Sequence, residues 1–356
     1  MPETGSAFYR VPATYFQAHA MSDAVTLAPS SPTLFLSDAD VASLADWRSA
    51  VAALSDAYTK PVSNAMVPPR SMARGDGMWL RSLTAVSPSG GHMGCKLIAA
   101  NTRERRASYL ISLFDQRTMA LRALIDGNRV TGLRTAATAT LALTLLAPDR
   151  PLRVAVIGSG FEARGALDCL GAVRVLHNVR VFSPTPASRE RFAESFRHTM
   201  DIAAADNPEA AVQDADVVIC AARSRDESPV LRGAWLPPGV TVVSLGSTLP
   251  EQREVDEDTM ARAACIVADM PEEVEHDTGD AIAATRAGVV LADRLVSLNA
   301  LAAGRIVPRR ADGDIVVYKS VGSALQDVVI AEMLLARAVQ QGVGVPLPAS
   351  ISPVAK

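Results

Sequence analysis

The stretch from Leu152 to Gly165, LRVAVIGSGFEARG, constrains the chain more than any other. An apolar, strand-like run, Val154 to Ile157, ends abruptly in Gly158-Ser159-Gly160. A helix-compatible stretch follows from Phe161, so the pattern is G-x-G-x-x-A with Ala163 as the third small residue. In such a turn the first glycine permits the tight reversal and the second lets the backbone approach a pyrophosphate. The small third residue lets the helix pack closely on its strand, and the helix N-terminus offers unpaired N–H groups to the phosphates. Three small residues alone are weak evidence, since any tight strand-to-helix turn uses them. The second strand some twenty residues on, Val179 to Phe182, supplies the context that a dinucleotide site needs. Gly158, Gly160, Phe161 and Glu162 are therefore expected at a cofactor.

Strand-like runs recur after that turn, at Asp216–Cys220, Val240–Leu245 and Cys265–Asp269, separated by helical stretches. Five or six such strands predict a doubly wound parallel sheet of Rossmann type, with ligand at the strands' carboxyl ends. The 356 residues exceed what one core usually serves, so two domains are expected. Before the turn, Ser37-Asp38-Ala39-Asp40 caps an amphipathic helix, and a second helix from about Val51 runs out near Tyr58. Short runs broken by Pro and Gly follow, at 67–70, 78–83 and 94–98, then 108–114 and 120–126; they predict antiparallel strands. Residues 1–28 show no sustained period. Gly132 to Leu146 reads as a buried helix crossing between domains, Asp314 to Val317 as one more strand, and Ser323 to Gln341 as a helix returning to the first domain. The expected layout is an α/β chain with a discontinuous α+β domain (1–131 and 320–356) for substrate binding and dimerisation, and a dinucleotide domain over 132–319.

The net charge is −3, and the basic runs Arg103–Arg106 and Arg309-Arg310 are short, so neither nucleic acid nor an anionic membrane is an expected partner. No apolar run approaches a membrane span, and the first residues lack a signal pattern. Cys95, Cys169, Cys220 and Cys265 are scattered and the five histidines show no ligand spacing, which predicts reduced thiols in a cytoplasmic protein and no metal site.

Several separated stretches together resemble the ornithine cyclodeaminase/mu-crystallin family: Pro68-Pro69-Arg70, Gly94-Cys95-Lys96, Gly132 to Ala137 (GLRTAA), the glycine turn, Leu245 to Asp256 (LGSTLPEQREVD) and Tyr318 to Asp327 (YKSVGSALQD). The resemblance covers most of the chain from Pro68 onward. It implies a dimerising first domain followed by a Rossmann domain, with substrate between them. It also implies three cations, Arg70, Lys96 and Arg134, at a small amino- or imino-acid substrate. A carboxylate is well held by a guanidinium fork with a second charge alongside; any one of these residues alone reads first as a surface charge, less readily so for Lys96 and Arg134, which sit among small or apolar neighbours. Thr135, Ser108 and Gly246 match positions near cofactor or substrate, and Ser320, placed at the opening of the last helix, matches a nicotinamide-side contact or a helix cap.

Two departures narrow the expectation. Where cyclodeaminases carry an aspartate for the substrate's amino group, this chain has Thr248, and their glutamate before an M-P dipeptide aligns with roughly Arg81. The chain thus looks closer to the imino-acid (ketimine) reductase branch than to true cyclodeaminases. The second departure is at the end of the second nucleotide-domain strand, where an acid would repel a 2′-phosphate; here stand Ser183, Thr185 and Arg189, which leans to NADP with NAD possible. The expected function is an NAD(P)-dependent oxidoreductase acting on the C–N bond of a small imino or amino acid, as a homodimer. The alternatives are an opine-like or amino-acid dehydrogenase such as N-(2-amino-2-carboxyethyl)glutamate dehydrogenase, an ornithine cyclodeaminase, or a crystallin-like protein that binds NADP and ligand without turnover.

Overall fold

The computed structural model describes residues 32–224 and 226–355. The expectation for residues 1–28 lies outside them. In chain order the first unit comprises β1 (Leu34–Leu36), α1 (Asp38–Leu44), α2 (Trp47–Thr59), β2 (Ser71–Arg74), β3 (Met78–Val86), β4 (His92–Asn101), β5 (Arg106–Asp115) and β6 (Leu121–Asp126). Ser37 and Asp40 form a reciprocal capping box at α1. The helical period read through Val51 is interrupted at 45–46, because Asp46 accepts from the Ser49 amide and starts α2 afresh. Strands β2 to β6 form an antiparallel meander, and β1 joins its far edge parallel to β6.

α3 (Gly127–Leu146) leads out of this sheet and is buried on nearly every side, as a central helix must be when no stripe of it is polar. Its hydroxyls stay satisfied by donating to carbonyls one turn back, Thr131 to Gly127, Thr135 to Thr131 and Thr138 to Arg134. The second sheet then builds through β7 (Leu152–Ile157), α4 (Phe161–Val173), β8 (Leu176–Phe182), α5 (Pro186–Phe196), β9 (Ile202–Ala204), α6 (Pro208–Val212), β10 (Val217–Cys220), β11 (Thr241–Ser244), α7 (Glu257–Arg262), β12 (Ala263–Ala268), α8 (Pro271–Asp277), α9 (Gly279–Arg286), β13 (Leu295–Ser297), α10 (Leu298–Ala302) and β14 (Ile315–Lys319). Its order is β13-β12-β14-β11-β10-β7-β8-β9, parallel throughout the described pairs. The sheet is wider than the five or six strands expected: β9 and β13 have three residues each, too short for a hydrophobic run to announce them.

Strand order reverses between β7 and β10, which opens a crevice at the carboxyl ends of these strands, the place where doubly wound sheets bind ligand. The last helix, α11 (Ala324–Gln341), packs on β3, β4 and β5 of the first sheet as well as on α2 and α3. It stops at Gly342 in the left-handed region, φ 66°, and β15 (Val345–Pro346) pairs with β1. One apolar core runs without a break from this packing through α3 into one face of the parallel sheet.

Candidate active site between the two sheets

At the glycine turn the structure fits a dinucleotide. Gly158 has φ 118°, a conformation only glycine adopts readily, and a Cβ there would lie 2.5 Å from the Ala221 carbonyl oxygen. A Cβ at Gly160 would meet nothing within 4 Å, and Gly160 begins α4 without any side-chain cap bond, so no side chain takes the place at this helix start that a phosphate would fill. Phe161 covers Gly132 of α3, where a Cβ would sit 2.5 Å from its ring. Glu162 lies one residue further on; burial raises its carboxyl above the ordinary range, against the opposing pull of Arg134 and Lys96.

The three cations converge, and two groups the sequence reading did not single out bring them together. Arg70 Nη2 donates to the carbonyls of Val321 (3.2 Å) and Gly322 (2.8 Å). Arg134 lies against the same Gly322, φ 81°, where a Cβ would be 2.6 Å from its Nη1. Arg134 and Lys96 then share Asp327: Lys96 Nζ donates to Asp327 Oδ1 at 2.9 Å and Arg134 Nε stands 3.5 Å from the same oxygen. The peptide after β14 and the first turn of α11 thus link all three.

Lys96 and Asp327 are each 1% exposed. Burial pulls the Lys96 ammonium down to about 8, although Asp327 favours its charged form. Its other contacts are Thr131 Oγ1 at 2.7 Å and the Tyr109 ring at 5.7 Å. Two polar atoms in this buried cluster, Arg134 Nε and Asp327 Oδ2, have no hydrogen-bond partner. A polar group bound in the cluster would satisfy them.

Asp269, just past β12, holds the loop that carries these contacts. Its carboxylate accepts from Ser320 Oγ (2.7 Å), the amides of Val321 (3.0 Å) and Gly322 (2.9 Å), and Gln326 Nε2 (3.0 Å). Gln326 in turn accepts from Arg134 Nη1 at 3.0 Å and donates to Tyr58 Oη. Glu273, in α8, accepts from the Arg70 amide at 3.2 Å and pairs with its guanidinium.

The remaining candidates are placed differently. Ser320 does not open the last helix: Ser323 is its cap, accepting from the Leu325 amide, and the Ser320 hydroxyl is spent on Asp269. Ser108 is exposed and pairs with Ala99, whereas Lys96 pairs with Ile111; alternation therefore puts Ser108 on the opposite face of the sheet, away from the cations. The Thr135 hydroxyl is turned back into α3, and Thr248 is turned into its own loop, its amide donating to Gln252 Oε1 at 2.9 Å. Gly246 is needed where it stands, since its amide donates to Glu254 at 2.8 Å and a Cβ would lie 2.5 Å from that carboxylate. Glu254, wholly buried and pushed by burial up to about 6, ties the loop after β11 to Ser244, and Lys319 continues the network to Asp280. After β8 no acid follows: Ser183 is buried, Thr185 begins α5 without a side-chain cap bond, and Arg189 folds over the Phe182 ring and donates to the Ser183 carbonyl at 3.1 Å.

A profile of the ornithine cyclodeaminase/mu-crystallin family matches residues 33–342. The chain belongs to that family. Among its relatives, a Δ1-pyrroline-2-carboxylate reductase of Paracoccus denitrificans is 28% identical over 316 residues, covering 86% of this chain and 97% of the relative. The ketimine reductase mu-crystallin of Mus musculus is 29% identical over 224 residues, 63% of this chain and 67% of the relative. Of solved structures, the Thermococcus litoralis Δ1-pyrroline-2-carboxylate reductase in complex with NADH and L-proline superposes with a TM-score of 0.80 at 25% identity, over 88% of this chain and 100% of that one. A probable ornithine cyclodeaminase from Bordetella pertussis superposes at 0.78 with 30% identity, again over 88% and 100%.

Proposed function

We propose that this family member is an NAD(P)-dependent oxidoreductase of the ketimine reductase type, reducing the C=N bond of a small imino acid. The observation that carries the reading is the meeting of Arg70, Lys96 and Arg134 around Gly322 and Asp327, beside a glycine turn built for a dinucleotide. The dinucleotide, when bound at Gly158 and Gly160, supplies hydride to the imine carbon. Arg70, anchored through Nη2, keeps its outer edge for the substrate's carboxylate, and Arg134 adds the second charge. A protonated imine is the better hydride acceptor, so a proton must be held at nitrogen. The Lys96 ammonium, closed off from bulk water, holds that proton below about pH 8. Thr248, with no carboxylate at its position, disfavours cyclodeamination.

Arg134→Ala removes one charge-assisted contact worth roughly 1.5–3 kcal/mol, so kcat/KM for an imino acid is expected to fall at least tenfold. Dinucleotide affinity should change much less. An Arg134→Ala protein that binds NADPH normally and reduces imino acids at the parent rate would refute the carboxylate clamp.

The missing acid after β8 supports a preference for NADPH over NADH. Ser183→Asp introduces repulsion of a 2′-phosphate and is expected to move the preference toward NADH. Titrating both cofactors against both proteins measures it, and a parent protein preferring NADH contradicts the assignment.

A homodimer in the cytoplasm completes the proposal. The face of the first sheet away from α11 carries Met78 (54% exposed), Leu80 (47%), Leu110 and Phe35, a broad apolar surface for a monomer to leave in water. Sedimentation at micromolar concentration should give a dimer. Substituting Leu80 and Leu110 with Lys should give a monomer, and a monomeric parent protein overturns this point.

A further inference from the structure

Arg81 is a fourth cation on the substrate side of the first sheet, and the chemistry above makes no use of it. The register explains its position. Met72 pairs with Arg81 and Leu83 with Lys96, so alternation places Arg70, Arg74, Arg81, Lys96 and Tyr109 on one face of β2 to β5, the face turned toward α11. The other clamp cations each have a carboxylate: Arg70 has Glu273, and Lys96 and Arg134 have Asp327. Arg81 makes no ion pair or hydrogen bond among the described residues. It rests its guanidinium 5.1 Å over the Trp79 ring, and its Nε is buried without a partner. Burial, and then the neighbouring Arg70, disfavour its charged form, while Glu273 favours it. An unpaired arginine kept half-buried beside another arginine is a costly arrangement for a monocarboxylate site.

We infer that Arg81 receives a second anionic group of the substrate, so that the preferred imino acid is a dicarboxylate whose distal carboxylate lies over the β2–β3 edge of the sheet. The inference rests on the reductase reading and adds its substrate class. The α-carboxylate goes to Arg70 and Arg134, as before. The distal carboxylate meets Arg81, whose planar fork is already oriented by Trp79, with the exposed Arg74 further out on the same face. Lys96 and the imine then sit between two anchored ends, which fixes the orientation of the reacting carbon.

The test compares wild type with Arg81→Gln. Each is assayed for NADPH oxidation with ammonia plus 2-oxoglutarate or oxaloacetate, whose imines carry two carboxylates, and with ammonia plus pyruvate or 2-oxobutyrate, whose imines carry one. Wild type should favour the dicarboxylates, and R81Q should lower the ratio of kcat/KM values, dicarboxylate over monocarboxylate, by about ten- to a hundredfold, as loss of a charge-assisted contact predicts. Equal use of both classes by wild type, or R81Q lowering both in the same proportion, overturns the inference. Thermal shifts by glutarate and by butyrate, measured without turnover, separate this outcome from failure of the reductase reading. Glutarate should stabilise wild type more than butyrate does, and R81Q should lose that difference. A difference that survives in R81Q also overturns the inference.

Discussion

Lys96→Met is expected to lower stability by about 3 kcal/mol and to abolish measurable imine reduction. The stability loss comes from breaking a buried pair, which strands a carboxylate inside the protein and typically costs about 3–5 kcal/mol. Here Asp327 is 1% exposed and Lys96 is its closest cation, while Arg134 Nε at 3.5 Å softens the loss and places it at the low end of that range. The loss of activity has another cause, removal of the ammonium that holds the imine's proton. The double variant Lys96→Met/Asp327→Asn separates the two: neutralising the stranded carboxylate should recover most of the stability in a urea titration and none of the activity. In the unmodified protein the same assignment gives a pH dependence. With the Lys96 ammonium at about 8, kcat/KM should be level below that pH and fall tenfold per unit above it. A flat profile to pH 10 would remove Lys96 from this role.

Asp269→Ala should have the second large effect. Ser320 Oγ, the amides of Val321 and Gly322, and Gln326 Nε2 would all lose their acceptor in a buried place. A stranded buried donor costs about 1–3 kcal/mol, so with water replacing some of these bonds a loss of about 4 kcal/mol is expected. The functional consequence follows from what the loop carries. The carbonyls of Val321 and Gly322 anchor Arg70, and Gly322 backs Arg134, so the KM for the imino acid should rise at least tenfold. The Kd of the dinucleotide, whose phosphates belong to the glycine turn at Gly158 and Gly160 and not to this loop, should rise much less. Equal weakening of both ligands would show that Asp269 serves global folding only.

The glycine turn was legible in the sequence because its requirements are local: a strand, a tight turn and a helix start within fourteen residues. The three cations were legible only through the resemblance, since their partners lie scattered along the chain. Asp269, Glu273 and Gln326 were missed because each acquires its meaning from tertiary neighbours. Asp269 alone left a trace, as an acid directly after a wholly apolar strand whose carboxyl end faces the ligand crevice. Ser108 was misplaced because strand alternation decides its face, and the residue on the cation side is its neighbour Tyr109. Ser320 is expected at a nicotinamide-side contact where the last helix opens, with a helix cap as the alternative; the cap is Ser323, whose own backbone is extended, and the Ser320 hydroxyl donates to Asp269. Arg81 stood out in the sequence only as a missing glutamate. Its significance depends on the pairing of β2 with β3, which no local pattern announces.

Imine reduction at the clamp of Arg70, Lys96 and Arg134 is open to a single assay. Purified protein is supplied in parallel with an imino-acid panel and NADPH, including Δ1-pyrroline-2-carboxylate and the open imines of 2-oxo acids, and with ornithine and NAD⁺. The expected result is NADPH oxidation with at least one imino acid, amino acid formed in equal amount, and no ammonia or proline from ornithine. Robust production of both ammonia and proline from ornithine, or silence across the imino-acid panel in a protein that binds NADPH, would contradict it.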